Sequence, residues 1–190
     1  MTTNGGKMST ERRPLDAYYT PPEVATKLVA RIPNLGTRAP ALTILEPSCG
    51  GGAFVDALGE RWRGAMIQGI DIDPAAPALH RGWSTIRNMN FLEWQEPVDL
   101  VVGNPPFNEA QAHCEHAIKV ARVGVGFLLR LAFLESSKRI AFWRNHRPHT
   151  VTVLCRRPSF TGGGTDSAAY GFFWWDLRQR VAETRLEWVE

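Results

Sequence analysis

Cysteine, lysine and long apolar runs are what this chain has little of. Its 190 residues include 3 cysteines, Cys49, Cys114 and Cys155, far apart and with no Cys-x-x-Cys pair. That count excludes a disulfide framework and a Cys-rich zinc site, and it suits a reducing compartment, so the expected location is the cytoplasm. A chain of this length buries roughly 70% of its unfolded surface and needs no such staple. The best apolar run, Val123 to Phe133, is broken by Arg130 and falls short of the roughly 20 residues a membrane helix needs. The opening MTTNGGKMSTERRP lacks the apolar stretch of a signal peptide. Residues 1–14 therefore read as a disordered tail, and 15–190 as one domain without internal repeats or low-complexity segments.

The scarcity of lysine leaves arginine as 18 of the 22 basic residues, in a chain of net charge +3. Arginine suits phosphate recognition through its planar fork of donors. From Arg130 to Phe160 seven Lys/Arg face a single acid, Glu135. Such a stretch marks a basic patch for polyanions, with Arg139, Arg144, Arg147, Arg156 and Arg157 as the expected backbone contacts of a nucleic acid.

The hydrophobic pattern alternates. After a helix expected from about Pro22 to Arg31, short apolar runs at 41–46, 65–73, 84–88, 98–107, 124–130, 150–156 and 169–177 read as strands. Helical patterns fall between them, near 53–62, 74–81, 109–122 and 131–145. Strands alternating with helices imply right-handed crossovers and a mostly parallel sheet covered on both faces. The last two strands have no helix between them and predict an antiparallel hairpin at one edge. Trp174 and Trp175 within it alternate faces, so one is expected in the core and the other at an interface.

In a doubly wound sheet the ligand sits at the carboxyl ends of the strands. Three unusual stretches lie there. "LEPSCGGGAF" follows the first strand, its glycines allowing close backbone approach ahead of a helix N-terminus. "GIDID" ends the second strand, with Asp71 or Asp73 about 20 residues after the glycines, the spacing of an acid on ribose hydroxyls. "GNPPF" stops the fourth strand and argues against a dinucleotide. Pro105 and Pro106 remove two amide donors and leave rigid carbonyl acceptors, Asn104 adds a side-chain oxygen, and Phe107 offers a flat face. Rigid acceptors beside an aromatic plane suit a planar amino group, whose delocalised lone pair they would free for attack by gripping its hydrogens.

"EPSCGGGAF", "GIDID" and "NPPF" in this order, preceded by "YYTPPEVATKLV", resemble the motifs of class I AdoMet-dependent amino-methyltransferases, in particular the adenine-N6 DNA methyltransferases of gamma arrangement. The resemblance covers roughly residues 16–176. It implies a Rossmann-like fold with a mostly parallel seven-stranded sheet and helices on both faces. It also implies S-adenosyl-L-methionine as cofactor and DNA as partner, with RNA adenine or protein glutamine as alternative substrates and an AdoMet-binding subunit that needs a partner for recognition as a further alternative. Carried over, Tyr19 and Thr20, the loop of Glu46, Pro47, Ser48, Cys49, Gly50 and Gly52, then Asp71, Ile72, Asn90, Phe91 and Asn104 would hold the cofactor. Thr20 would touch its methionine end and Asp71 its ribose. Asn104, Pro105, Pro106 and Phe107 would be catalytic. Phe107 and Phe160, the latter in "RRPSF", would sandwich a base extruded from the helix.

The chain departs from that family in three ways. Asn90 stands where an acid usually grips the cofactor adenine, and Cys49 stands where a small residue is common; a buried cysteine packs like a small hydrophobe. Gamma enzymes also carry a long recognition domain after the last motif, whereas here 30 residues follow Phe160. Specificity would then come from loops, a homodimer through the aromatic edge, or a separate subunit. A compact methyltransferase of this kind suits a phage or mobile element. His113 and His116 are expected to be surface or capping residues, with no metal, and "TGGGTDS" at 161–167 a loop beside Phe160 that closes over substrate.

Overall fold

Pro21 and Pro22 start the first helix, α1 (Pro22–Val29), where a proline costs no hydrogen bond because the first-turn amides lack intrahelical partners anyway. Its Ala25, Leu28 and Val29 are buried at helical spacing. The computed structural model describes residues 18–35, 42–82, 85–160 and 167–190, so the expected tail and all of the 161–167 loop but Ser167 lie outside the described residues.

Among the described residues eight strands form one sheet: β1 (Thr43–Glu46), β2 (Met66–Asp71), β3 (Ile86–Asn88), β4 (Val98–Gly103), β5 (Ala121–Arg130), β6 (Thr150–Leu154), β7 (Tyr170–Asp176) and β8 (Arg185–Val189). Their spatial order is β3-β2-β1-β4-β5-β7-β6-β8. Every neighbouring pair is parallel except those of β7, which runs antiparallel to both β5 and β6. The expected hairpin is thus present, and the sheet has one strand more than the seven expected. β8 pairs in parallel with β6 and covers its outer edge. Its sequence, RLEWV, alternates charge with apolar residues and is mostly exposed, the signature of an edge strand rather than of the buried runs of β1 and β4 to β7.

Side chains alternate between two cores, as the two-residue period of a strand demands. On one face α1 and α2 (Ala53–Arg61) pack with Ile44, Leu100, Val102, Phe172 and Trp174. On the other, α3 (Ala110–Val120) packs with Leu45, Val101, Phe127, Phe173 and Trp175. Trp174 and Trp175 are therefore both core residues, each 2% exposed; neither is the interface residue the alternation suggested. The expected helix at 131–145 is split into two 3-10 turns and a short α4 (Ile140–Asn145), because the Ser136 hydroxyl accepts from Lys138 N–H and starts a new turn. The segment near 74–81 is a 3-10 turn opened by Pro77.

Candidate active site

β1 and β4 are adjacent, and the chain leaves β1 toward β2 on one side while β4 leads to β5 on the other. At that reversal lies a partly enclosed cleft of about 70 Å³, at the carboxyl ends of the strands where such sheets bind ligands. Its walls include Tyr19, Pro47, Ser48, Gly50, Asp71, Ile72, Asn90, Phe91, Asn104, Pro105, Pro106 and Phe107. An adjoining recess of about 20 Å³ adds Thr20, Glu46 and Cys49. Three stretches far apart in the chain thus meet as their motifs predict. Tyr18, Asp73, Glu109 and His113 also line the cleft, and the motifs assign no role to Tyr18, Glu109 or His113. Gly52 lines neither cavity and instead caps α2, whose first turn has no side-chain cap.

The glycine loop is shaped by what it touches. Gly50 has φ +45°, a left-handed conformation that glycine adopts freely, and a Cβ there would stand 2.6 Å from Tyr19 Cδ1. Its amide donates to Asp71 Oδ2 at 2.7 Å, and the Asp73 amide donates to Oδ1 at 2.9 Å. Asp71 therefore ties the loop to β2. Burial raises its pKa, opposed by these amides.

Glu46 lies beneath the recess, 1% exposed. Ser48 N–H donates to its Oε1 at 3.1 Å, and Gly103 must lack a Cβ because one would collide with that same oxygen. Burial, with Asp71 nearby, holds its carboxyl well above the ordinary range despite the Ser48 amide. The Cys49 thiol is likewise pushed far up by burial and by Glu46 and Asp71. Packing, not nucleophilic chemistry, is what such a thiol can do.

Asn104 is the best-defined group of the cleft. Its Nδ2 donates to Tyr18 O at 2.9 Å and to Thr20 Oγ1 at 3.1 Å. Both amide hydrogens are thereby used, which fixes the carboxamide. Its Oδ1 is buried and has no hydrogen-bond partner among the described residues. The Pro106 carbonyl accepts from Glu109 N–H at 3.1 Å, whereas the Pro105 carbonyl accepts no bond among the described residues. Two acceptors on residues that line the cleft are thereby left without a partner among the described residues.

An aromatic wall stands beside them. Tyr18 and Phe107 stack with centroids 5.9 Å apart and planes at 25°. Phe160 is 7% exposed and meets Phe107, Tyr18 and Tyr170 edge-on, at 66°, 69° and 68°. It is brought to the aromatic wall but presents no face parallel to Phe107. The Arg130 guanidinium lies 4.8 Å from the Phe107 ring centre.

His113 and His116 both bond backbone carbonyls, of Glu109 and Trp94, at 3.2 and 2.8 Å. His113 is nevertheless buried and belongs to the cleft rather than the surface. Among the described residues no group of three His, Cys, Asp or Glu could hold a metal. The five arginines do not form one patch. Arg156 and Arg157 are exposed just past the carboxyl end of β6, and Arg139 opens α4 at the same side of the sheet. Arg144 and Arg147 follow at the far end of α4, where β6 begins, and Arg147 is bonded to Ala182 O at 2.7 Å. Periodicity could not show that division, because helix direction decides it.

The fold recurs in solved structures. A Listeria monocytogenes protein described as a class I S-adenosylmethionine-dependent methyltransferase superposes with a TM-score of 0.73 at 14% identity, over 93% of this chain and 67% of that one. The chain has the class I methyltransferase fold. A type I restriction-modification methyltransferase subunit from Streptococcus thermophilus shares this methyltransferase fold at a TM-score of 0.65, 15% identity, 84% of this chain and 45% of that one. No family model matches the sequence. Type II methyltransferase M.CvrRI of a Paramecium bursaria Chlorella virus is 33% identical over 101 residues, 51% of this chain and 26% of the relative. A type II methyltransferase of Thermus thermophilus is 33% identical over 115 residues, 58% of this chain and 25% of the relative. The chain thus spans about a quarter of the length of these curated relatives.

Proposed function

We propose that this chain is an AdoMet-dependent methyltransferase that modifies the exocyclic N6 of adenine in DNA. The observation that carries the proposal is the buried Asn104 Oδ1, without a partner among the described residues, on a residue that lines the cleft and whose NH2 is bound to Tyr18 and Thr20.

The cleft fits the cofactor by charge. Among the described residues its lining includes Asp71, Asp73 and Glu109 and no lysine or arginine. A pyrophosphate would meet three carboxylates and no cation, whereas a sulfonium with an α-ammonium is a cation the acids attract. Asp71, Ile72, Asn90 and Phe91 would hold the adenosine, and Thr20 with Glu46 the methionine end. When bound, the cofactor supplies an electrophilic methyl group.

The chain's own residues prepare the acceptor. Asn104 Oδ1 and the Pro105 carbonyl take the two hydrogens of the adenine amine, which favours a pyramidal nitrogen and returns its lone pair from the ring. An amide oxygen is a weak base, so neither keeps the proton that leaves as the new N–C bond forms; it passes to solvent. Tyr18 and Phe107 provide a face for the extruded base, at a cost of a few kcal/mol for unstacking that the new stacking offsets in part. That aromatic wall supports a nucleobase over a glutamine amide, which would leave it uncovered. The sequence similarity to type II methyltransferases supports DNA over RNA.

Purified protein incubated with labelled AdoMet and unmethylated duplex DNA, digested to nucleosides, is expected to yield N6-methyldeoxyadenosine by mass spectrometry. Label on N4-methyldeoxycytidine, on RNA alone or on protein would overturn the base or substrate assignment.

A further inference from the structure

The adenosine end of the cleft contains a buried titratable ring that the transfer chemistry leaves unused. His113 on α3 is 4% exposed and lines the cleft together with Asn90 and Phe91, its ring centre 5.3 Å from that of Phe91. Its Nδ1 lies 3.2 Å from the Glu109 carbonyl oxygen. A carbonyl only accepts, so in the neutral ring Nδ1 carries the proton and Nε2 is an acceptor. No hydrogen bond engages Nε2 among the described residues. Burial lowers the pKa of the ring and keeps it neutral.

Asn90 is committed elsewhere. Its Oδ1 accepts from Leu92 N–H at 3.0 Å and caps the 3-10 turn of Phe91–Glu93. The end of its amide left without a partner among the described residues is the NH2, a donor. The edge of adenine pairs an amine donor with a ring-nitrogen acceptor, and the cleft offers the complement on two residues. We propose that His113 Nε2 accepts the exocyclic amine of the cofactor adenine, making His113 the residue that selects adenosine over its deaminated counterpart. The proposal rests on the AdoMet reading above.

Calorimetric binding of S-adenosylhomocysteine and S-inosylhomocysteine tests it without any turnover. Inosine places a carbonyl oxygen where adenine has its amine, so an acceptor facing it is repelled. The wild-type protein is expected to prefer the adenosyl ligand by about tenfold or more. Inosine also carries a hydrogen on N1, which the Asn90 NH2 would meet, so His113→Ala should bring the two within about threefold and Asn90→Ala should narrow the preference by less. In the folded wild type, the unprotonated imidazole nitrogen of His113 should shift in 15N NMR when the adenosyl ligand binds. Equal wild-type affinity for both ligands, a preference that survives His113→Ala, or an unmoved nitrogen signal overturns the assignment while leaving the cofactor reading intact. Failure of folded protein to bind S-adenosylhomocysteine at all overturns both.

Discussion

Asn104 and Glu46 show how single side chains are set by what holds them. Replacing Asn104 by Ala removes one of two acceptors for the target amine. The loss of transfer should be on the order of 10²–10³-fold, by analogy with removal of one preorganised electrostatic partner. S-adenosylhomocysteine affinity should change only a few-fold, which calorimetry beside the nucleoside assay can read. Glu46 carries a different expectation. Its carboxyl is held above the ordinary range by burial, so between the unfolded pKa and the higher folded one the native state binds more protons, and stability falls as pH rises through that window. Glu46→Gln keeps the oxygen that Ser48 N–H needs and removes the charge. The unliganded variant should unfold at a higher temperature than wild type at neutral pH, with the difference vanishing below about pH 4.

At the scale of elements, α1 matters because its leading segment positions the site. Tyr18 O and Thr20 Oγ1, just before the helix, fix the Asn104 amide. The far end of α1 is held by Arg61 on α2, whose Nη1 donates to Val29 O at 2.8 Å and whose Nη2 donates to Ile32 O. The guanidinium also lies 4.7 Å from the Trp62 ring centre. Arg61→Ala should cost about 1.5–3 kcal/mol, the range for charge-assisted hydrogen bonds, as measured by urea denaturation. Arg61→Lys should recover part of this but not all, since an ammonium lacks the planar fork. The same loosening should raise the KM for AdoMet through Thr20, although Arg61 itself is remote from the cleft.

For the whole molecule, the division of the arginines makes the electrostatic footprint one-sided. Arg156 and Arg157 stand at the carboxyl-end side of the sheet with the cleft, while Arg144 and Arg147 stand at the opposite side. Charge reversal of Arg156 and Arg157 should therefore weaken DNA binding and flatten its log–log salt dependence by about 0.9 for each phosphate no longer neutralised. Arg144→Glu should leave the slope unchanged. A filter-binding series from low to moderate salt checks both, and equal effects of the two changes would contradict this placement. The aromatic segment that suggests a dimer is instead consumed by the two cores, and the apolar groups left outward at the sheet edge are Leu186 and Trp188 on β8, 51% and 60% exposed.

Much of this protein is legible in the chain itself. Strands buried on both faces must be apolar nearly throughout, so β1, β4, β5, β6 and β7 announce themselves, and a phi-restricted Pro-Pro after an Asn is chemically specific before any fold is known. The single premise that ligands sit at strand carboxyl ends brings together the glycine loop, Asp71 and the Asn-Pro-Pro-Phe stretch. Only the tertiary structure decided the remainder. β8 is hidden in the sequence because an edge strand needs just one buried face, and its mixed residues match no buried run. His113 reads as a surface or capping residue because periodicity shows that a helix face is apolar, not which cavity that face meets. The orientation of the Asn104 amide and the tautomer of His113 depend on backbone carbonyls contributed by other segments, or by a turn whose path is itself a product of packing. Residue types and their spacing thus determined which chemistry this chain can attempt. Long-range contacts determined which acceptors are left unpaired to carry it out, because a hydrogen bond made elsewhere is what removes a polar atom from the site.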